Sequence, residues 1–150
     1  MIRTRPAVLA ALLSACAADP EGEDSAVALG CEVGTGEEGF ESLEEGEEVS
    51  IIAGPQGGYH ITTAARATGV EGETVLVTGT LRLAATGEYL GPGFSLAWPY
   101  EAVDGKVEAT GLLNLLNDPE QARDQEVILS VGVEDDTGAE AWDERIVVAR

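Results

Sequence analysis

Short apolar runs separated by turn-forming residues follow one another through most of this chain. Eight runs can be marked out, at 30–35, 47–53, 58–67, 74–84, 94–103, 107–115, 125–134 and 140–149. Several alternate apolar and polar side chains with a period of two, as in VILSVGVE, which is typical of half-buried antiparallel strands. None has the length and spacing of an ordinary amphipathic helix. The sequence therefore predicts an all-β domain over residues 30–150.

Seven or eight strands within about 120 residues favour an immunoglobulin-like antiparallel β-sandwich, with a small β-barrel as the alternative. The final run places Trp142, Ile146 and Val148 on one side of the strand, and Asp143 and Arg145 on the other. Because side chains of a strand alternate between its two faces, we expect the apolar side of this run to be the half-buried one.

Turn chemistry agrees with this organisation. Asp-Asp-Thr-Gly at 135–138 predicts a hairpin loop in which Gly138 takes a positive φ, and Asp-Gly at 104–105 predicts another turn. Asp118 is expected to cap a helical turn that begins at Pro119. Gly-Pro-Gln-Gly at 54–57 predicts a type I turn that closes a hairpin between the second and third runs.

The first sixteen residues have the order of a bacterial export signal. Arg3 and Arg5 precede an apolar stretch at 7–15, which is far too short to span a bilayer. Leu-Ser-Ala-Cys at 13–16 resembles a bacterial lipobox. The resemblance implies removal of residues 1–15 and attachment of diacylglycerol and fatty acid, such as palmitate, to Cys16. An ordinary secretory signal or a buried N-terminal helix is the alternative reading.

Residues 16–29 then read as the lipidated cysteine and an acidic tether, which as a flexible coil would reach roughly 20 Å from the membrane. Ala17 stands where, in the enteric sorting rule, an Asp retains lipoproteins in the inner membrane. The expected location is therefore the outer membrane of the cell envelope, with the membrane contacted through the lipid.

The charge of the chain restricts its partners. It carries 8 Lys and Arg against 28 Asp and Glu, and removal of Arg3 and Arg5 leaves 6 against 28, a formal charge of −22. Nucleic acid is excluded as a partner, because its binding requires neutralisation of phosphates. If Cys16 carries lipid, Cys31 is left alone. It is expected to be a small buried side chain, with an intermolecular disulfide as the alternative.

The segment GPQGGYH is the most distinctive internal stretch. It follows a loop with seven Glu in twelve residues, at 37–48. Together with the lipobox, it resembles uncharacterised lipoproteins of Gram-negative bacteria in which Gly-Pro-Gln-Gly-Gly precedes an aromatic residue and His, and then a strand ending in Arg. The matching residues are Gly54, Pro55, Gln56, Gly57, Gly58, Tyr59, His60 and Arg66. That family carries no established activity, so the resemblance implies no catalytic role.

His60 is the only histidine, and alternation places it with Thr62 and Arg66 on the more polar face of its strand. Gly58 is expected to allow a close backbone approach or a bulge. No nucleophile–histidine motif, phosphate loop or paired-cysteine metal motif is present, so no catalytic residue or cofactor is predicted. A metal site, with calcium at the acidic loops VEDDTG and LNDPE or copper or zinc at His60, is the alternative.

These features predict a non-enzymatic, lipid-anchored binding or structural module of the bacterial envelope. An envelope protein is an expected partner, and the oligomeric state stays open. A metal-binding envelope protein is the second hypothesis.

Overall fold

The computed structural model describes residues 27–99 and 105–150. The expected signal peptide at 1–15, the lipidated Cys16 and most of the tether lie outside the described residues. So do the end of the run at 94–103 and the Asp of the Asp-Gly turn at 104–105.

Strands account for most of the described chain. They are β1 (Gly30–Thr35), β2 (Glu41–Ser42), β3 (Glu48–Val49), β4 (Ile52–Ala53), β5 (Tyr59–Thr68), β6 (Thr74–Leu83), β7 (Phe94–Pro99), β8 (Lys106–Leu116), β9 (Glu126–Glu134) and β10 (Glu140–Ala149). One helical turn, α1 (Pro119–Ala122), lies between β8 and β9. The predicted all-β class is confirmed, and most of the sequence runs coincide with strands to within one residue.

The strands form two curled sheets that face each other. In sheet A, β5 pairs with β8 on one side and with β1 and β4 on the other, and β2 extends β1. Sheet B has the order β3-β10-β9-β6-β7. Each sheet curves into a half-barrel, an arrangement compatible with both the predicted sandwich and the small-barrel alternative.

The core lies between the concave faces of the two sheets. Alternate residues of each long strand point into it, and the largest fully buried side chains include Ile61, Leu81, Leu90 and Leu129. In β9, Val127, Leu129, Val131 and Val133 are buried in this way, so residues 128, 130, 132 and 134 belong to the outer face of sheet B. Because of this alternation, only the side chains on the outer faces of the sheets are available to contact a ligand.

The run at 47–53 is not one strand, as the sequence suggested, but two short strands in different sheets. The amides of Val148 and Arg150 donate to the carbonyls of Glu47 and Val49 at 2.8 Å, so β3 lies parallel to β10. The chain then crosses over, and β4 pairs antiparallel with β5. This segment covers an edge of each sheet in turn. Its division turns the eight predicted runs into nine strands, and β2, which lies outside those runs, is the tenth strand of the described chain. The parallel pairing of β3 with β10 makes sheet B mixed rather than antiparallel.

A bulge in β8 changes which of its side chains face the core. Thr63 on β5 lies opposite Leu112, but Ala65 lies opposite Ala109, so β8 carries one extra residue near Gly111, whose φ is +64°. The shift turns Asn114 inward, where its amide donates to the Thr63 hydroxyl at 2.9 Å. Leu113 and Leu115 are left on the outer face of sheet A.

The predicted turns are present where the structure describes them. The Asp118 carboxylate accepts the Glu120 amide at 3.0 Å, with Pro119 at the start of α1. The loop at 135–138 is closed by a hydrogen bond from the Gly138 amide to the Asp135 carbonyl, and Gly138 has φ of +81°. Both expectations are confirmed.

The turn at 54–57 closes the hairpin of β4 and β5 as expected, and its type I geometry stays a prediction. Its end is closed by the Gly57 amide, which donates to the Gly54 carbonyl at 3.1 Å, and Gly57 has φ of +87°. The expectation for Gly58 was wrong. Its φ is not positive, and a Cβ added there would meet nothing within 4 Å, so neither strain nor close approach requires glycine at that position.

We expect Gly57→Val to lower the free energy of unfolding by roughly 1–3 kcal/mol, the usual cost of holding a side chain in a sparsely populated backbone region. Gly58→Val is the matched control, and it should change stability by less than about 0.5 kcal/mol, as at other open surface positions. Urea melts of the two variants measure the difference. Equal destabilisation by both would contradict this account of the turn.

Candidate functional site

The segment that stood out in the sequence, residues 54–60, is a surface turn followed by the start of β5. His60 lies between Ile52 on β4 and Leu115 on β8, on the outer face of sheet A, where it is half-buried. Tyr59 is 37 % exposed and pairs with Leu116. The outward orientation of His60 agrees with the sequence pattern, and its neighbours on both paired strands are apolar.

Arg66 does not join these residues. It lies six positions farther along β5, about 20 Å from His60 along an extended strand. Its guanidinium is 4.0 Å from the centre of the Phe40 ring, and its Nε donates to Glu108 Oε1 at 3.0 Å. Glu32 on β1 forms a second ion pair with Arg66, with its Oε2 3.6 Å from Arg66 Nη1. Arg66 therefore ties three strands together on the outer face of sheet A, and the motif residues do not converge on one site.

Cys31 is half-buried on β1, with its thiol 3.8 Å from the Val131 carbonyl of the opposite sheet. Burial, and then the nearby carboxylates of Asp143 and Glu32, raise the pKa of the Cys31 thiol to about 12. The protonated thiol is a poor nucleophile. This position fits the structural role expected for Cys31 better than the disulfide alternative.

The acids of the VEDDTG loop serve as acceptors for backbone amides. Oδ1 of Asp135 accepts the amides of Thr137 and Ala139 and the Thr137 hydroxyl, and Oδ2 accepts the Glu71 amide. Asp136 Oδ2 accepts the amides of residues 73 and 74. The two carboxylates thus clamp the β9–β10 loop to the β5–β6 loop, with amide hydrogens at the positions that a bound calcium ion would need.

No group of three or more His, Cys, Asp or Glu side chains suited to a metal ion occurs among the residues that the structure describes. His60 lies apart from the acidic loop at 135–138, and the LNDPE acid Asp118 caps α1. The metal-binding alternative therefore stays a prediction without an assembled set of ligands in this part of the chain.

The last strand faces the opposite way from the sequence expectation. Trp142 is 57 % exposed and Ile146 is also exposed, whereas Val147 and Ala149 are fully buried. The side with Asp143 is the inner one, and Asp143 Oδ2 accepts the Val33 amide of sheet A at 2.9 Å. The expectation that Trp142, Ile146 and Val148 form the buried face was wrong, because Val147 and Ala149 take the core positions on the side where Asp143 contacts sheet A.

Trp142 lies flat against the outer face of sheet B. It is directly opposite Gly132 on β9, and a Cβ added to Gly132 would be 2.6 Å from three carbon atoms of the indole. Since a Cβ on a strand projects away from the sheet, three equal distances mean that the ring lies across that direction. One face of the indole thus covers the Gly132 backbone, and the other faces solvent.

An open depression of about 360 Å³ lies beside this indole. Trp142 and Tyr89, which is 62 % exposed, are the two aromatic residues among the described residues that line it. Tyr89 is held next to β6 by a β-bridge with Arg82. Between the two aromatic residues the floor consists of small hydroxyl side chains, Thr80 and Ser130, which lie opposite each other on β6 and β9.

Polar groups on this floor are already ordered by one another. Arg82 Nη2 donates to Glu144 Oε2 at 2.6 Å, and the Ser130 hydroxyl donates to the same oxygen at 2.9 Å. The ion pair is partly exposed, so it is worth little for stability. Its effect is to hold a guanidinium, a carboxylate and the Ser130 hydroxyl together next to a flat aromatic surface.

This face, which we call the Trp142 face (Thr80, Arg82, Tyr89, Ser130, Trp142 and Glu144), was missed by sequence reasoning. One signal was available. Gly132 interrupts an otherwise well-formed strand, and a glycine inside a strand often marks a close approach of another group. The identity of that group depends on the pairing of β9 with β10, which the sequence does not specify.

Comparison with protein-family models gives no match, and neither the curated proteins nor the solved structures contain a significant match. The resemblance to Gram-negative lipoproteins therefore stays a prediction. Within residues 27–99 and 105–150, no helix combines the length and apolar character needed to cross a bilayer.

The Asp135 clamp has a specific pH dependence. The Thr137 hydroxyl is the largest cause that holds the pKa of Asp135 below its ordinary value, and the amides of Glu71, Thr137 and Ala139 add to it against the opposing effect of burial. A carboxyl whose pKa is lower in the folded state stabilises the fold above its unfolded pKa, and the contribution disappears as pH falls through the folded pKa. That contribution is therefore full above about pH 4 and is lost below it.

Asp135→Asn should lower Tm at neutral pH, because both carboxylate oxygens accept hydrogens and an amide NH₂ must face one of the donors. The deficit relative to wild type should shrink in thermal melts below about pH 4. Asp136→Asn is the control, since the amides of residues 73 and 74 donate to one oxygen, Oδ2, which an Asn carbonyl can replace. A deficit of the same size at neutral and acidic pH would contradict this role.

Proposed function

We propose that this protein is a non-enzymatic binding module of the bacterial cell envelope, held at the outer membrane by lipid on Cys16. Its ligand binds the Trp142 face of sheet B. The export signal and lipobox resemblance support the location. The observation that carries the binding role is the solvent-facing indole of Trp142, laid flat on Gly132 beside an open depression.

An exposed tryptophan in a fixed position favours binding for a physical reason. Large apolar side chains on a surface leave water in contact with area that a partner can cover, and clusters of them commonly mark interaction sites. Trp142, Tyr89, Ile146 and Leu76 are all exposed on or beside this face. Because Trp142 already rests on the sheet, it loses little conformational freedom when a ligand covers it.

The polar groups of the face also support binding rather than catalysis. Glu144 Oε2 accepts hydrogen bonds from both Arg82 and Ser130, so the oxygen that could act as a base towards Ser130 is shared with a guanidinium. The arrangement is suited to holding donors and acceptors in place.

The location is tested by labelling. Wild-type protein expressed with radioactive palmitate should carry the label and sediment with membranes. Cys16→Ser should lose the label and leave the membrane fraction, because the chain would lack its acyl anchor. Cys31→Ser is the matched control, and it should keep both label and membrane association. A Cys16→Ser protein that stays membrane-bound would contradict the anchor.

The binding face is tested on envelope material. Full-length protein in a zwitterionic detergent without a sugar headgroup is mixed with isolated envelope fractions and sedimented. Trp142→Ala should reduce co-sedimentation at least tenfold, as expected for a central aromatic residue of an interface. Tyr59→Ala, which removes an exposed aromatic side chain from sheet A, should leave it unchanged. Equal binding by both variants would show that the Trp142 face is not the binding site.

A further inference from the structure

Resting on the proposed function, we infer that the ligand of the Trp142 face is an uncharged oligosaccharide, one pyranose ring of which lies on the Trp142 indole. A pyranose ring presents a flat set of C–H groups on one face and hydroxyl groups around its rim. The C–H face of the sugar needs a flat apolar surface, and its rim hydroxyl groups need hydrogen-bonding groups beside that surface. Both are present on this face of sheet B.

The register of the strands gives the distance between the row that supports the Trp142 indole and the nearest row of polar side chains. Gly132 and Trp142 lie opposite each other, and the next outward row, two residues along each strand, is Thr80–Ser130–Glu144. Two residues of a strand span about 7 Å, so the hydroxyl and carboxylate row lies about 7 Å from the row that supports the indole. A sugar ring stacked on Trp142 would therefore bring its rim hydroxyls within reach of that row.

The chemistry of the row suits hydroxyl groups in particular. A sugar hydroxyl both donates and accepts, so it is best met by a mixture of donors and acceptors. The Thr80 hydroxyl can do either, Glu144 Oε1 can accept, and within the described residues Arg82 is bonded only to Glu144 and has further N–H groups to offer. A purely apolar ligand would leave these groups without partners.

The charges in and around the depression favour an uncharged saccharide over an anionic or cationic one. Among the described residues that line the depression, Arg82 is the only cation, and Glu144 compensates its charge at 2.6 Å. Asp143 also belongs to the lining and adds a second carboxylate. The rest of the mature chain has a formal charge close to −22, which repels anionic sugars and phosphates. A cationic ligand would have to compete with Arg82 for the same carboxylate.

The second aromatic residue indicates more than one sugar unit. Tyr89 is bridged to Arg82, so the Thr80–Ser130–Glu144 row lies between Tyr89 and the row of Trp142 and Gly132. Two aromatic surfaces separated by hydroxyl groups match a short chain of sugars better than a single ring. The volume of about 360 Å³ lies within the range of small-molecule sites.

The test is calorimetric titration of the full-length protein, in the same sugar-free detergent, with tetrasaccharides of glucose and of N-acetylglucosamine as probes. At least one neutral probe should bind, and tetraglucuronate, the anionic counterpart of the glucose tetrasaccharide with the same linkage, should bind at least tenfold more weakly. Trp142→Ala should weaken binding of the neutral probe at least tenfold. Tyr59→Ala should have no effect.

Gly132→Ala provides the sharper variant, because it keeps Trp142 but forces the indole off the sheet. It should weaken saccharide binding at least tenfold while the melting curve stays cooperative. Unchanged binding in this variant would overturn the stacking geometry and with it the inference.

Competition separates the inference from the proposed function. A neutral probe that binds should release the protein from envelope fractions. If Trp142→Ala abolishes envelope binding but no neutral saccharide binds or competes, the saccharide inference is overturned and the binding face stands. If Trp142→Ala affects neither envelope nor saccharide binding, both are overturned.

Discussion

The hydrogen bond from the Val33 amide to Asp143 joins the two sheets on the side of β10 that also buries Val147 and Ala149 in the core. It joins the free edge of β1 in sheet A to the last strand of sheet B, at 2.9 Å. Arg145 completes the link, since it donates to Asp143 and to the Leu43 carbonyl. Because side chains of a strand alternate, two inward polar residues force Trp142, Glu144 and Ile146 outward. The Trp142 face is thus a consequence of how the two sheets are joined.

Glycines let aromatic rings lie close to the backbone at three positions. Gly132 lies under Trp142, Gly79 under Phe94 and Gly34 under Phe40, and a Cβ at any of the three would collide with the ring. Phe94 packs against the core, and Phe40 supports Arg66 on sheet A. Of the three rings, Trp142 is the one that lies beside a depression lined by polar groups. The same packing device therefore serves stability in two cases and, in our proposal, ligand binding in the third.

The sequence predicted the strands well and their environment less well. The alternation in VILSVGVE and the turn residues located β9, β10 and the loop at 135–138, because these signals are local. Three features depended on contacts distant in sequence. The run at 47–53 divides between two sheet edges, the bulge near Gly111 turns Asn114 into the core, and Asp143 orients β10. Each of these contacts overrides a local sequence pattern. Because of the contact made by Asp143, the alternation in β10 wrongly predicted that Trp142 is buried.

The acidic composition has a structural role that also limits the ligand. Carboxylates of Glu45, Glu47, Asp118, Asp135, Asp136 and Asp143 accept backbone amides that have no strand partner. Such amides would otherwise need water or another acceptor. All five arginines of the described residues are engaged in ion pairs with carboxylates. In our proposal, anionic ligands would meet arginines that are already compensated, within a field that repels them, and recognition would rest on stacking and uncharged hydrogen bonding on the Trp142 face.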